Sequence, residues 1–465
     1  MNSTFDRINN WAKNSLMLKL IVIAFIILLL LIPSILVEDL IRQRRNLRDE
    51  AQREIASKFG GEQTIGGPVL SVPYEHPVTV ETEDGPRRSI RTGYAHFLPT
   101  AIDIQGGLVP EERRRGIFTA VLYNTDLTVR GHFGGLNVEA LNLPDGALRW
   151  EDALFTVGIS DMTGVSAEIT VEFNGEGYRM GPGTVTKDVF TSGANVPVTI
   201  TGAEERMEFR FDLDLNGSAG LYFRPFGATT DVNLESAWPD PSFDGTFLPT
   251  DHEVTDTKFA AHWTVLQLNR NYPQQGVGAY TPRLESNNFS QYSYRDLDGI
   301  GGYTDDRFGV KLLLPVDEYS KIYRSTNYSV LFIIITFLTF FFIEVLNRRR
   351  VHPIQYILIG AAVLLFYVLL LSISEHQYFD VAYFISAAAI TALITGYAAA
   401  VLRNVRLTAL VGGLLVVLYV FFYSLLQLQD YALLIGSLGL LIILGLVMYL
   451  TRNVDWYGIG SRDLD

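Results

Sequence analysis

Apolar residues gather at the two ends of this 465-residue chain. Leu20 to Val37 is a run of about 18 residues without a charge, long enough to cross the hydrocarbon core of a bilayer. Arg7, Lys13 and Lys19 precede it. No small-x-small cleavage site follows, because Ser34-Ile35-Leu36-Val37 runs straight into Glu38-Asp39, so the segment reads as an uncleaved signal anchor. Phe5, Ile8 and Trp11 recur at helical spacing ahead of it, with Trp11 as an interfacial anchor. Five further apolar runs follow much later, at roughly 328–346, 354–373, 381–401, 408–426 and 432–450.

The loops between these runs carry an orientation signal. Arg348, Arg349, Arg350 and His352 fill one loop, Arg403 and Arg406 another, and Arg452 follows the last run. The alternate loops, Ser374 to Asp380 and Gln427 to Asp430, hold no lysine or arginine. Basic short loops stay cytoplasmic, so six spans put both termini inside and the intervening segment outside. Arg42, Arg44, Arg45 and Arg48 lie on the wrong side of the first span by this rule, but long domains translocate largely regardless of charge.

Between the ends the period changes. Leu40, Leu47, Ala51, Ile55 and Phe59 continue one helical face as a stalk until Gly60-Gly61. Beyond it, residues alternate with period two in Ile117 to Tyr123, Leu127 to Phe133, Ala167 to Phe173 and Met207 to Leu215. Many strands without interleaved helices predict an antiparallel, sandwich-like architecture. Phe97-Leu98-Pro99-Thr100 recurs as Phe247-Leu248-Pro249-Thr250, which admits two related β subdomains or shared turn chemistry. The fold class expected is therefore an α+β membrane protein with six transmembrane helices and a large all-β periplasmic domain inserted between helices 1 and 2. The boundaries are a cytoplasmic segment 1–19, a span 20–37, a stalk 38–60, the β domain 61–326, a helical bundle 327–451 and a tail 452–465.

Charge sharpens this division. The chain has 50 acidic and 37 basic residues, and both ends are balanced, so the net charge of −13 resides on 42–325. An acidic domain argues against nucleic acid as a partner. Without cysteine, disulfides, thiolate catalysis and cysteine zinc sites are excluded.

Few residues propose chemistry. Asp251-His252-Glu253 sets carboxylates beside an imidazole, but the zincin spacing fails because Asp256 stands where the second histidine belongs. Asp296-Leu297-Asp298-Gly299 resembles the start of a calcium loop, yet Ile300 and Arg307 break the EF-hand pattern. Nucleophile elbows and phosphate-binding loops are missing from the sequence. In the bundle, Glu344 is the ionisable residue inside a span, and Arg348 one turn later would pair with it. Thr391, Thr395, Tyr367, Tyr419 and Tyr423 could line a neutral path or serve helix contacts. Glu375-His376, after the third span, is the best-placed ionisable pair, with a solvated loop as the plainer reading. No cofactor is expected.

Ordered blocks along nearly the whole chain resemble the CreD family of bacterial inner-membrane proteins. They are Gly67-Pro68-Val69-Leu70-Ser71-Val72-Pro73-Tyr74, Phe97-Leu98-Pro99, Arg114-Arg115-Gly116-Ile117-Phe118, Trp238 through Pro249 and Pro315-Val316-Asp317-Glu318-Tyr319. In the bundle they are His352-Pro353-Ile354-Gln355-Tyr356, Phe366 through His376 and Thr451 through Tyr457. Asn327 departs from the lysine the family pattern leads one to expect. The resemblance implies a Gram-negative inner-membrane location and a link to envelope integrity, with control by a two-component system tied to β-lactam response and colicin tolerance. It supplies no catalytic residues. The function expected is thus non-enzymatic: a periplasmic β domain that binds a wall component, a lipid or a protein, on a bundle seated among membrane lipids. The alternatives are a transporter of a neutral or lipid-like substrate and, third, an envelope hydrolase or metal enzyme.

Overall fold

The computed structural model describes residues 16–82, 85–200, 206–282, 306–312, 318–347, 351–427 and 431–452. Two compact units emerge, one of 1–48 with 316–465 and one of 49–315.

In the first unit, helix α1 (Leu16–Phe59) begins, then α2 (Glu318–Thr326), α3 (Ser329–Asn347), α4 (Pro353–Ser374), α5 (Phe379–Leu402), α6 (Val405–Gln427) and α7 (Ala432–Thr451) follow. Among the described residues four helices are long and apolar enough to cross a membrane. A fifth is added if α2 and α3, bent by 46°, count as one broken span, and α7 contributes a shorter apolar stretch, Leu434–Tyr449. The block at 352–355 is a helix start: Pro353 opens α4, the His352 imidazole accepts from Ile354 N–H, and Gln355 Oε1 accepts from His352 N–H at 2.9 Å. Gly360 permits a close approach, since a Cβ there would collide with Leu30 of α1. An aromatic stack fills the centre, with Phe332 lying 4.3 Å from Phe422 and 4.9 Å from Tyr419, and Phe366 lying 4.8 Å from Tyr419.

The second unit takes the remainder of α1 and all strands. They are β1 (Gln63–Thr82), β2 (Gly85–Phe97), β3 (Ala101–Arg115), β4 (Phe118–Phe133), β5 (Leu154–Ile159), β6 (Thr170–Phe173), β7 (Glu176–Arg179), β8 (Gly181–Pro182) and β9 (Gly193–Pro197). Then come β10 (Met207–Ser218), β11 (Gly220–Phe223), β12 (Thr229–Ser236), β13 (Pro241–Gly245), β14 (Asp251–Val254), β15 (Phe259–Leu266), β16 (Gln275–Val277) and β17 (Phe308–Leu312). One sheet runs β13-β17-β11-β1-β5-β9-β8, with β2 paired to β1 and β16 to β2; the other runs β14-β15-β12-β3-β4-β10-β6-β7.

The sheets face each other. Phe155 of the first touches Phe133, Phe173, Phe209 and Phe211 of the second, at centroid distances of 6.3, 5.9, 5.6 and 6.1 Å. Strand β10 buries Met207, Phe209, Phe211, Leu213 and Leu215 and turns Glu208, Arg210 and Asp212 outward, as its period demands. A purely antiparallel arrangement is not what forms. β1 pairs with β11 and β3 with β12 in parallel, so both sheets are mixed. The long excursions between these partners make this feasible, since parallel neighbours cannot be joined by a tight turn.

Both copies of the Phe-Leu-Pro-Thr tetrapeptide carry the chain from the first sheet to the second, from β2 to β3 and from β13 to β14. In each, the threonine N–H donates to a histidine carbonyl on the following strand pair, Thr100 to His132 at 2.9 Å and Thr250 to His262 at 2.7 Å. The environments then diverge: Leu98 is buried, whereas Leu248 is 71% exposed.

Candidate functional site

The ionisable residues of the helical unit collect at two levels along α1. At Lys19, its ammonium lies 2.8 Å from Glu344 of α3, and the Tyr356 hydroxyl of α4 donates to the same carboxylate at 3.4 Å. Glu344 is thereby joined to a residue far away in sequence; Arg348, expected as its partner, lies outside the described residues. At the opposite level Glu375, just past the end of α4, lies 3.6 Å from Arg44 and accepts from the Tyr319 hydroxyl at 3.5 Å, while Arg48 stacks over Tyr319. Glu38 accepts from Arg42 and from the Tyr323 hydroxyl. The basic cluster that breaks the charge rule is thus partly neutralised by local acids. Glu375 is a tie between α1 and α4, with its side chain 11% exposed. His376 takes no part in it, and its ring sits 3.3 Å from the Ser372 carbonyl.

Of the neutral residues, Thr391, Thr395 and Tyr419 line one cavity between α5 and α6, together with Tyr383, Phe384 and several alanines. Tyr367 lies against Phe366 at 5.0 Å, in the packed centre. Tyr383 donates to the Tyr419 carbonyl at 2.8 Å.

In the strand-rich unit, Asp251, His252 and Glu253 form β14, an edge strand exposed throughout. Strand alternation turns His252 to the face opposite its two acidic neighbours, and its ring packs 5.3 Å from Phe243. The three side chains do not converge. Asp296 and Asp298 lie outside the described residues. Among the described residues no group of three or more histidine, aspartate or glutamate side chains is arranged to hold a metal ion.

Two buried polar constellations escaped the sequence reading. In the first, Ser71 and His96 are cross-strand partners on β1 and β2, with Ser71 Oγ 2.8 Å from His96 Nδ1, and Asp188 Oδ2 lies 3.3 Å from His96 Nε2. The rings of Tyr94 and Tyr280 lie 6.4 and 6.3 Å from the imidazole, each tilted 19° from its plane. This has the connectivity of a nucleophilic triad, but Ser71 is 4% exposed and the adjoining cavity, about 10 Å³, holds a single water at most. An acyl group has no room beside Ser71, and the imidazole acts as a core histidine satisfied at both nitrogens.

In the second, Arg224 lies 3.6 Å from Asp306 and donates to the Pro282 carbonyl at 2.8 Å, and Tyr272 donates to Asp306 at 2.5 Å. Arg270 donates to the carbonyls of Tyr272 and Phe226 and to Gln274. Burial pushes the Tyr272 phenol upward, with Asp306 adding to it, and burial pulls the Arg270 guanidinium down against the raising influence of Tyr272, Tyr280 and Asp306. Register and long-range pairing create both constellations, so no local motif announces either.

The family description "Inner membrane protein CreD" matches residues 15–457. The chain is 32% identical over 449 residues to "Inner membrane protein CreD" of Escherichia coli (strain K12), covering 96% of this chain and 94% of that protein.

Proposed function

Because the chain belongs to the CreD family of inner membrane proteins, we propose that it acts at the bacterial inner membrane as a non-enzymatic envelope-integrity protein. In this reading it has six spans and cytoplasmic termini, and its strand-rich unit lies in the periplasm, where it binds a wall component, a lipid or a protein partner. The helical unit is its anchor.

One observation carries the reading: the charges of α1, α3 and α4 pair at two levels, Lys19 with Glu344 and Arg44 with Glu375. From Lys19 to Arg44 is 25 residues, about 38 Å of helix, enough to hold both pairs outside a hydrocarbon core of about 30 Å. The aromatic stack of Phe332, Phe366, Tyr419 and Phe422 occupies the space between. An interior packed with aromatic rings, and without charge among the described residues between the two levels, supports a platform over a pump.

Alkaline phosphatase and fluorescent-protein fusions test the topology: phosphatase should be active at positions within 61–326 and at 374–380, and fluorescence should appear at 348–350 and at the C-terminus. Photocrosslinking from the strand-rich unit in cells, with deletion strains assayed for outer-membrane permeability, tests the role. A deletion without effect on permeability or envelope stress sensitivity would overturn it. Transport of a neutral or lipid-like substrate is the second reading, favoured by the cavity between α5 and α6.

A further inference from the structure

The cavity between α5 and α6 has a volume of about 510 Å³, in the range of ligand sites. Its origin lies in side-chain size. Ala387, Ala388 and Ala392 line it from α5, so the helices leave a space between Tyr383 and Thr395. At the far end the helices touch, where a Cβ on Gly412 would meet Thr395 Oγ1 at 2.9 Å. Ala388 and Ala392 are exposed, so the cavity opens sideways. For two helices that cross a membrane, that side is hydrocarbon, and an alkyl chain is the solvent available to fill it. Tyr383 to Thr395 spans 12 residues, about 18 Å along the axis, close to half of a hydrocarbon core of about 30 Å.

Polar groups stand at the Tyr383 end. Gln427 Nε2 donates at 2.9 Å to Asp380 Oδ1 and at 2.9 Å to the Tyr423 hydroxyl. The Tyr423 ring lies 4.8 Å from Phe384 and 5.3 Å from Tyr383, both cavity walls. Lys321 Nζ sits 5.4 Å over the ring of Phe379, the neighbour of Asp380. A carboxylate therefore stands at the mouth of an apolar slot one leaflet deep, with an ammonium over the adjacent residue of the same helix.

We propose that this cleft holds one zwitterionic phospholipid with a primary ammonium headgroup, of the phosphatidylethanolamine class. One acyl chain fills the cavity, the headgroup ammonium meets Asp380, and the phosphate faces Lys321. The inference rests on α5 and α6 being membrane spans and is independent of what the strand-rich unit binds.

The full chain in nanodiscs of phosphatidylethanolamine and phosphatidylglycerol, with a trace of either lipid bearing a diazirine on its acyl chain, gives the test. Photolabelling by the ethanolamine lipid should concentrate on α5 and α6 peptides, above the exposed face of α7. Ala392→Trp, which fills the slot, should lower that labelling about tenfold. Ala389→Trp, exposed on the same helix but outside the slot, should leave it unchanged, and equal melting temperatures of the two variants confirm that both fold. Asp380→Asn should retain chain labelling and abolish the preference for ethanolamine over glycerol headgroups. Labelling no stronger on α5 and α6 than on α7, or unaffected by Ala392→Trp, would overturn the proposal. A second copy in the slot would overturn it too: the chain lacks cysteine, so disulfide dimers of Ala392→Cys in native membranes would reveal one. The topology fusions separate a failure of the lipid site from a failure of the membrane placement.

Discussion

The two units handle charge in opposite ways. In the strand-rich unit, ion pairs are scattered over the surface, as in Arg179–Glu168, with side chains 71% and 68% exposed, and Arg113–Glu111, 49% and 52% exposed. Among the described residues of the helical unit, the Arg42 pairs with Glu38 and Asp39 are exposed in the same way, but Glu344 and Glu375 keep only 5% and 11% of their side-chain surface. Where water is near, a broken pair is resolvated at little cost, and where it is not, the surviving partner bears the full desolvation penalty. The number of ion pairs thus says less about stability than their surroundings do.

Lys19→Met breaks the comparison at its strongest point. Glu344 would remain buried with its hydrogen bond from the Tyr356 hydroxyl but without its cation, and the loss should be about 4 kcal/mol, measured by denaturant unfolding in bicelles. Glu344→Gln should cost far less, about 1 kcal/mol, because Lys19 is 30% exposed and can extend its ammonium to the interface. Equal losses for the two variants would refute this asymmetry. Arg224→Met sharpens the comparison from the other side, since Arg224–Asp306 is a pair of the strand-rich unit buried like those of the helices, at 7% and 9%. It should cost about 3 kcal/mol, as a buried acid loses its cation. Arg44→Met should cost about 2 kcal/mol, the pair being longer, at 3.6 Å, and its acid retaining the Tyr319 hydroxyl. At the bottom, Arg179→Ala should change stability by under about 0.5 kcal/mol.

These contrasts also mark what a sequence reader can see. The helices α3 to α7 follow the hydrophobic runs closely, because a span is specified by consecutive residues. The alternation of β10 was equally plain, and strand period was enough to separate His252 from Asp251 and Glu253 once β14 was recognised as a strand. Sheet pairing was not legible: the parallel match of Thr229 with Ala101 joins residues that nothing local connects. Glu344 shows the same limit. Its neighbour at helical spacing was the natural choice, yet its partner Lys19 lies 325 positions away. The cavity between α5 and α6 arises from small side chains on two helices whose facing sides only the fold decides. Thr391, Thr395 and Tyr419 were singled out as polar residues, while the alanines that make the space carried no signal.

His132 offers the finest test of the comparison, because it asks whether even a partly solvated charge in the strand-rich unit registers its surroundings. Burial holds its pKa below the usual value, Arg206 pushes in the same direction, and Glu208 opposes. The folded protein therefore prefers neutral His132 more than the unfolded chain does. For a depressed pKa, the stabilisation is fully present above the unfolded value of about 6.5 and is lost as pH falls through the folded value. Unfolding of the detergent-solubilised chain, followed by tryptophan fluorescence between about pH 7.5 and about pH 5.5, should show a modest decline that His132→Gln flattens. Arg206→Ala should also make the slope shallower by removing a like charge, and Glu208→Ala should steepen it. A slope identical in all four proteins would mean that water screens His132 as thoroughly as it screens the exposed pairs, and the contrast between the units would then extend to every surface charge of the strand-rich one.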